Sequence, residues 1–226
     1  MERVVKKFDS ELMELQNRMS QMASLAQSMV ALAITAIQDR GKNVREEVDQ
    51  LETTLDQMQM DIDRDAIRML TVYGPVATQL RYVLGVSNIT MQLERIGDQV
   101  VNICESLDLM QTEIGHHVQP DLHKMAATVG EMIDAAFNAY FERDASKAEA
   151  TRSQDDIVDA LNAQIIKRLL SDEVLHNVLT GTEDIADALA QILIARHLER
   201  IADQAVNICK EVIFLVHGDD VRHDQV

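Results

Sequence analysis

The 226-residue chain has no tryptophan, 2 prolines, 2 cysteines, 8 glycines and only 3% aromatic residues. Each shortage excludes something. Two cysteines with no secretion signal ahead of them do not make a disulfide framework, so Cys104 and Cys209 read as small core residues. So few glycines and prolines leave long stretches without a turn signal and almost no room for strand. Basic residues are also short, with 21 Lys and Arg against 38 Asp and Glu, a formal net charge of −17. That charge repels a phosphate backbone, and no basic patch interleaved with aromatics offsets it, which argues against nucleic acid as a partner. The richest apolar window, Met29 to Ile37, is short for a membrane span, and the opening Met-Glu-Arg-Val-Val-Lys-Lys lacks the apolar core of a secretion signal. The chain therefore reads as cytoplasmic, meeting a membrane only through a protein partner.

What is present is helical: 12 Met, much Ala, Leu, Ile and Gln, and 46% apolar residues, enough to bury a core. One stretch organises the rest. Glu94-Arg-Ile-Gly-Asp98-Gln-Val-Val-Asn102-Ile-Cys104 recurs 105 residues later as Glu199-Arg-Ile-Ala-Asp203-Gln-Ala-Val-Asn207-Ile-Cys209, identical at nine of eleven positions. A repeat this close implies a duplicated domain. On a helix, Leu93, Ile96, Val100, Ile103 and Leu107 form an apolar stripe, while Glu94, Asp98 and Asn102 line the opposite side one turn apart. In the copy, Leu198, Ile201, Ala205, Ile208 and Val212 face inward and Glu199, Asp203 and Asn207 face out.

The periodicity predicts three long helices in each half. In the first they run from Glu2 to Asp39, from Val44 to Tyr73, and from Pro75 to Thr112, with Pro75 placed in the first turn of the third. The register restarts in the second half: Met125, Ala126, Met132, Ala136 and Ala139 follow Met22, Ala23, Met29, Ala33 and Ala36 at an offset of 103. A turn at Glu142-Arg-Asp-Ala precedes a fifth helix from Ser146 to Leu170, and Leu175 to Gly181 leads into a sixth from Thr182 to Val216. The expected architecture is all-α, two tandem three-helix bundles: residues 1–114 and 121–217, a linker at 115–120 and a polar tail at 218–226.

Seven acidic pairs lie four residues apart, and most such pairs are only solvated helix faces. The repeat selects among them. Asp61/Asp65 maps onto Gln164 and Arg168, Glu183/Asp187 maps back onto Thr78 and Tyr82, and Asp220/Asp224 falls in the tail. Four pairs survive: Glu52/Asp56 corresponds to Asp155/Asp159, and Glu94/Asp98 to Glu199/Asp203. Each bundle then carries one pair on its second helix and one on its third. Four carboxylates in one patch repel one another, a cost that bound cations remove. Oxygen ligands with an asparagine at the edge suit Mg²⁺, Mn²⁺, Ca²⁺ or iron, and the lack of Cys or His at the centre disfavours zinc. The competing reading is that Arg95, Arg200 and nearby lysines neutralise the patches as salt bridges. A di-iron carboxylate enzyme needs two Glu-x-x-His elements on facing helices. Here Glu113/His116 straddles the linker and Glu173/His176 a helix end, and the two do not correspond in the repeat. The other histidines, His197 among them, are scattered and read as surface residues. There is no Gly-rich phosphate loop, no Gly-x-Ser-x-Gly and no nucleophile with a base at readable spacing, so the chain does not read as an enzyme.

Two copies of Glu-Arg-Ile-(Gly/Ala)-Asp-x-x-x-Asn-Ile-Cys, each preceded some 40 residues earlier by an acidic-x-x-x-Asp pair, resemble the PhoU family of phosphate-signalling regulators over about residues 5 to 218. The resemblance implies tandem three-helix bundles whose motifs bind metal ions or multinuclear clusters, iron in some members. Here they fall on Glu52, Asp56, Glu94, Asp98, Asp155, Asp159, Glu199 and Asp203, with Asn102, Asn207, Arg95 and Arg200 as supporting residues. It further implies a non-enzymatic negative regulator of the phosphate-starvation response, often dimeric, linking the Pst phosphate-import ATPase to the PhoR sensor kinase. A metal-free helical adaptor in the same pathway is the alternative. The chain departs from the family pattern Pro-x-Ala-x-Asp-Leu-Arg at Gln79 and has Thr180 where the second repeat would carry the matching proline.

Overall fold

The computed structural model describes residues 2–39, 42–110, 118–179, 185–218 and 221, and among them every regular element is an α-helix. The first repeat is α1 (Glu2–Gln38), α2 (Arg45–Tyr73) and α3 (Ala77–Asp108); the second is α4 (Pro120–Glu142), α5 (Ala145–Arg152), α6 (Asp155–Leu169), α7 (Asp172–Leu179) and α8 (Ile185–His217). Each repeat packs its helices around an apolar stripe. The ten residues related by the 103-residue offset, from Met22 to Ala36 and from Met125 to Ala139, are all buried, as are Ile96, Val100 and Ile103 and their counterparts Ile201, Ala205 and Ile208. Each methionine, isoleucine and valine so buried contributes about 1.5–3 kcal/mol relative to exposure, and each alanine methyl about 0.8 kcal/mol.

The two bundles share one continuous core, and α3 and α8 form the most extensive helix pair in the molecule. Their polar contacts give the direction: Asn88 donates to Glu211 (3.1 Å), Asn207 to Gln92 (3.4 Å), and His197 Nδ1 lies 2.9 Å from Gln99 Oε1. The α3 numbers rise as the α8 numbers fall, so the helices are antiparallel. Gly85 permits this approach, since a Cβ there would sit 2.6 Å from Leu215 Cδ2.

Several expectations are corrected. The predicted fifth helix is broken: α5 ends at Arg152 and α6 starts at Asp155. At the break the Ser153 hydroxyl donates to the Ala150 carbonyl (2.8 Å) and Gln154 N–H bonds Thr151 at 3.1 Å, so short-range bonds replace the regular ladder. The stretch after it forms its own helix, α7, before α8. Pro75 lies ahead of α3 rather than in its first turn. Gly74 closes α2 in the left-handed conformation (φ 54°), Val76 is extended, and Ala77 takes φ 50°. That helix ends at Asp108, and Thr112 lies outside the described residues. By length and composition α1 contains a stretch able to cross a membrane, against the reading of Met29–Ile37 alone, yet Leu15, Met19, Met22, Met29 and Ile37 on it are core residues of the bundle.

Candidate metal-binding strips

Glu52 and Asp56 project from the middle of α2, and Glu94 and Asp98 from the middle of α3, each pair one turn apart on its helix. The bundle brings the pairs together. Burial raises the Glu52 carboxyl, and the charges of Asp56 on its own helix and Asp98 on α3 raise it further. Glu94 is raised by burial, then by Asp98, Asp56 and Glu52, with Arg95 opposing; Asp98 is raised by burial and then by Asp56. Coupling across helices of this kind requires one shared patch.

The second strip repeats the arrangement from α6 and α8. Burial is the largest cause raising Asp155, which with Asp159 and Asp203 beside it is pushed up to about 6, Lys210 opposing. Glu199 and Asp203 are likewise raised by burial and then by Asp159. Asp155 is the first residue of α6, where the helix N-terminus favours negative charge, so burial and then the neighbouring carboxylates outweigh a local benefit.

None of these eight carboxylates forms an ion pair among the described residues, and neither Arg95 nor Arg200 does, against the reading of the strips as salt-bridged surface. The rejected pair behaves oppositely: Asp65 meets Arg18 at 2.9 Å and Asp61 meets Arg64 at 3.0 Å. At the same time, no three Asp, Glu, His or Cys side chains among the described residues converge as a ready-made metal cage. The strips are open rows of oxygens.

Asn207 donates its amide to Gln92 across the α3–α8 seam. His197 is a correction: it is half-buried against Gln99, and burial followed by the nearby Arg200 and Arg196 lowers its pKa. Asn162 is the residue the motif search missed. It is buried, its Nδ2 donates to Glu199 Oε2, and its Oδ1 has no hydrogen-bond partner. A signal existed, since an amide follows each second-helix Asp by three residues, Gln59 after Asp56 and Asn162 after Asp159.

Of the Glu-x-x-His elements, Glu113/His116 lies outside the described residues, and His176 is exposed on α7, a helix with little contact to the others. Asp220/Asp224 and Glu183 also lie outside them. Cys104 and Cys209 are buried free thiols, pushed up by burial to about 11 and about 12, hence inert.

Fold and strips together define a duplicated all-helical protein with one carboxylate strip in each repeat. The PhoU domain family matches the chain twice, over residues 19–107 and 122–212, and the chain belongs to the PhoU family. It is 32% identical over 220 residues to the phosphate-specific transport system accessory protein PhoU homolog of Aquifex aeolicus, covering 97% of each chain. The homolog of Clostridium acetobutylicum is 30% identical over 216 residues, covering 95% of this chain and 96% of the relative. Among solved structures, PhoU from Pseudomonas aeruginosa superposes with a TM-score of 0.85 at 26% identity, over 94% of this chain and 100% of that one. PhoU from Streptococcus pneumoniae gives 0.83 at 25% identity, over 95% and 99%.

Proposed function

We propose that this chain is a metal-binding accessory regulator of phosphate uptake and phosphate-starvation signalling. In this reading it acts without catalytic turnover, as a cytoplasmic homodimer between a Pst-type transporter ATPase subunit and a PhoR-type sensor kinase. The relatives' names carry the transport context. The observation that supports the metal is the pair of strips, equivalent in the two repeats and without an ion pair among the described residues. Glu52, Asp56, Glu94 and Asp98 would hold ions on the first strip, and Asp155, Asp159, Glu199 and Asp203 on the second. The donor set fits hard or borderline ions such as Mg²⁺, Mn²⁺ or iron, as single ions or a cluster. The orphaned Asn162 Oδ1 adds a buried oxygen of the same kind. A bound ion would supply positive charge where the chain gathers an excess of negative charge. Repulsion among the carboxylates is then relieved, and the sign of the field that a docking partner meets is reversed.

A second reading, the metal-free adaptor, is favoured by the lack of three converging ligands among the described residues. Plasma mass spectrometry separates the two. Wild type is expected to carry stoichiometric metal that is lost in Glu94→Ala/Asp98→Ala/Glu199→Ala/Asp203→Ala. Metal-free wild type that also refuses Mn²⁺, Fe²⁺ and Mg²⁺ on reconstitution would leave the adaptor. Partner capture that resists a chelator would sink the metal's regulatory role while sparing the metal site.

A further inference from the structure

Where α3 begins and α4 and α8 end, the two bundles leave a pocket of about 430 Å³ between them, within the range of small-molecule sites. It lies about 20 Å along α3 from Glu94, well separated from the strips. We infer that it binds a small amphipathic anion, a flat ring system carrying one carboxylate, sulfonate or phosphate group.

Charge gives the sign. In a chain of net charge −17, no acidic side chain lines this pocket, and its one charged residue is Arg143. The acids beside Arg143 in sequence are engaged elsewhere. Glu142 pairs with Lys147, and Asp144 caps α5 by accepting from the backbone N–H groups of Ser146 (2.9 Å) and Lys147 (3.0 Å). Arg143 has no ion pair of its own among the described residues. Its guanidinium is held 5.3 Å over the Tyr82 ring, and that ring is fixed by the 2.8 Å contact between the Tyr82 and Tyr140 hydroxyls. The start of α3 adds to this. Val76 gives it no side-chain cap, and Thr78 and Gln79 of its first turn line the wall, which brings the positive helix end to the same space. Gln79 is the position where the family pattern carries an acid.

The body of the ligand follows from the rest of the wall, where the Tyr82, Tyr140 and Phe141 rings meet Leu215. Aromatic and apolar walls about one guanidinium favour a flat apolar body over a bare ion. Backbone strain marks the same place. The only non-glycine residues with positive φ among those described are Ala77 (50°) and Arg143 (53°), one adjoining the pocket and one lining it. Arg143 occupies the left-handed closing position of α4, its N–H bonding Tyr140 (3.2 Å) and the next N–H bonding Ala139 (2.9 Å), a position that glycine fills at least cost. Strain of this kind gathers at ligand sites, where a particular side chain outweighs backbone ease.

The test is fluorescence titration of the full chain with 8-anilinonaphthalene-1-sulfonate, a monoanion built on a flat naphthalene ring, and with the neutral N-phenyl-1-naphthylamine. Wild type is expected to bind one sulfonate probe per chain, undisplaced by a tenfold excess of inorganic phosphate. Arg143→Gly is expected to weaken the sulfonate probe by roughly tenfold, leave the neutral probe unchanged, and raise the melting temperature by a few degrees as the strain is relieved. Ser20→Phe, which fills the pocket and keeps the charge, is expected to abolish both probes, and Arg200→Gln to alter neither. Sulfonate binding that is equal in wild type and Arg143→Gly, or that survives Ser20→Phe, overturns the proposal. Displacement by inorganic phosphate overturns the requirement for a flat body. Circular dichroism of each variant shows whether the loss belongs to the pocket or to unfolding.

Discussion

The two carboxylate strips stand at equivalent positions in a duplicated chain, but they rest on different supports. The first is carried by α2, one uninterrupted helix of 29 residues. The second is carried by α6, a helix of 15 residues that begins at Asp155 itself. The charges stand at equivalent positions although the helix beneath one copy is interrupted. The two strips also differ in chemistry. Only the second strip has an acid pushed to about 6, and only there does a buried amide, that of Asn162, anchor a strip carboxylate.

The largest effects test whether the halves are equivalent beneath the strips. Ile96 and Ile201 are fully buried at the same repeat position, so Ile96→Ala and Ile201→Ala should each destabilise by about 2–5 kcal/mol and by similar amounts. Denaturant unfolding measures both, and a silent Ile201 variant would show that the second bundle does not depend on its central stripe. A smaller, asymmetric effect is expected one residue on. A Cβ at Gly97 would lie 2.6 Å from Leu55 Cδ2, so Gly97→Ala should cost about 1–3 kcal/mol. At the corresponding Ala202 the Cβ is already accommodated, and Ala202→Gly should cost about 1–2 kcal/mol through helix propensity and the loss of a buried methyl.

The strips themselves should separate by titration. In metal-stripped protein, carbon-13 NMR of the carboxyls should give Asp155 a midpoint near 6, moving down in Asp159→Asn. An acid raised from 3.8 to about 6 on folding holds its proton more tightly in the folded state. Metal-stripped stability should therefore fall as the pH rises from about 4 to 6 and then level off, by about 1 kcal/mol for this partly exposed group once solvent screening is allowed for. Stability that instead rises through this window would contradict the raised carboxyls on both strips. The smallest effect belongs to Asn162. Its replacement by Ala should cost about 1 kcal/mol and raise the Glu199 carboxyl further, because a donor to the charged form is lost. Gln59→Ala, at the equivalent place in the first repeat, makes no such bond and should leave the Glu94 titration unchanged.

Much of this was legible in the residues and their spacing. The stripe from Leu93 to Ile103 and its copy from Leu198 to Ile208 are buried as their spacing predicts. That Glu52/Asp56 and Glu94/Asp98 each recur in the other half was read from the repeat, whereas their sharing one patch is seen only in the coupling of Asp56 with Asp98. The seam was not legible. Asn88, Gln92, Gln99 and Asn207 look like surface residues in sequence because polar side chains usually are; here they meet partners on the other bundle. The break at Ser153 was hidden for another reason. A serine satisfies a helix ladder or competes with it, and which occurs depends on packing around the turn.

The sequence by itself determined the two all-helical repeats and the four acidic pairs. Both rest on local geometry, in which residues three and four apart share a helix face whatever surrounds them. Only the tertiary structure decided which pairs share a patch, which carboxylate is raised to about 6, and where Arg143 stands among aromatic rings without a counter-charge. These depend on desolvation and on Coulomb terms between groups distant in the chain, and such quantities exist only once separate helices have been brought side by side.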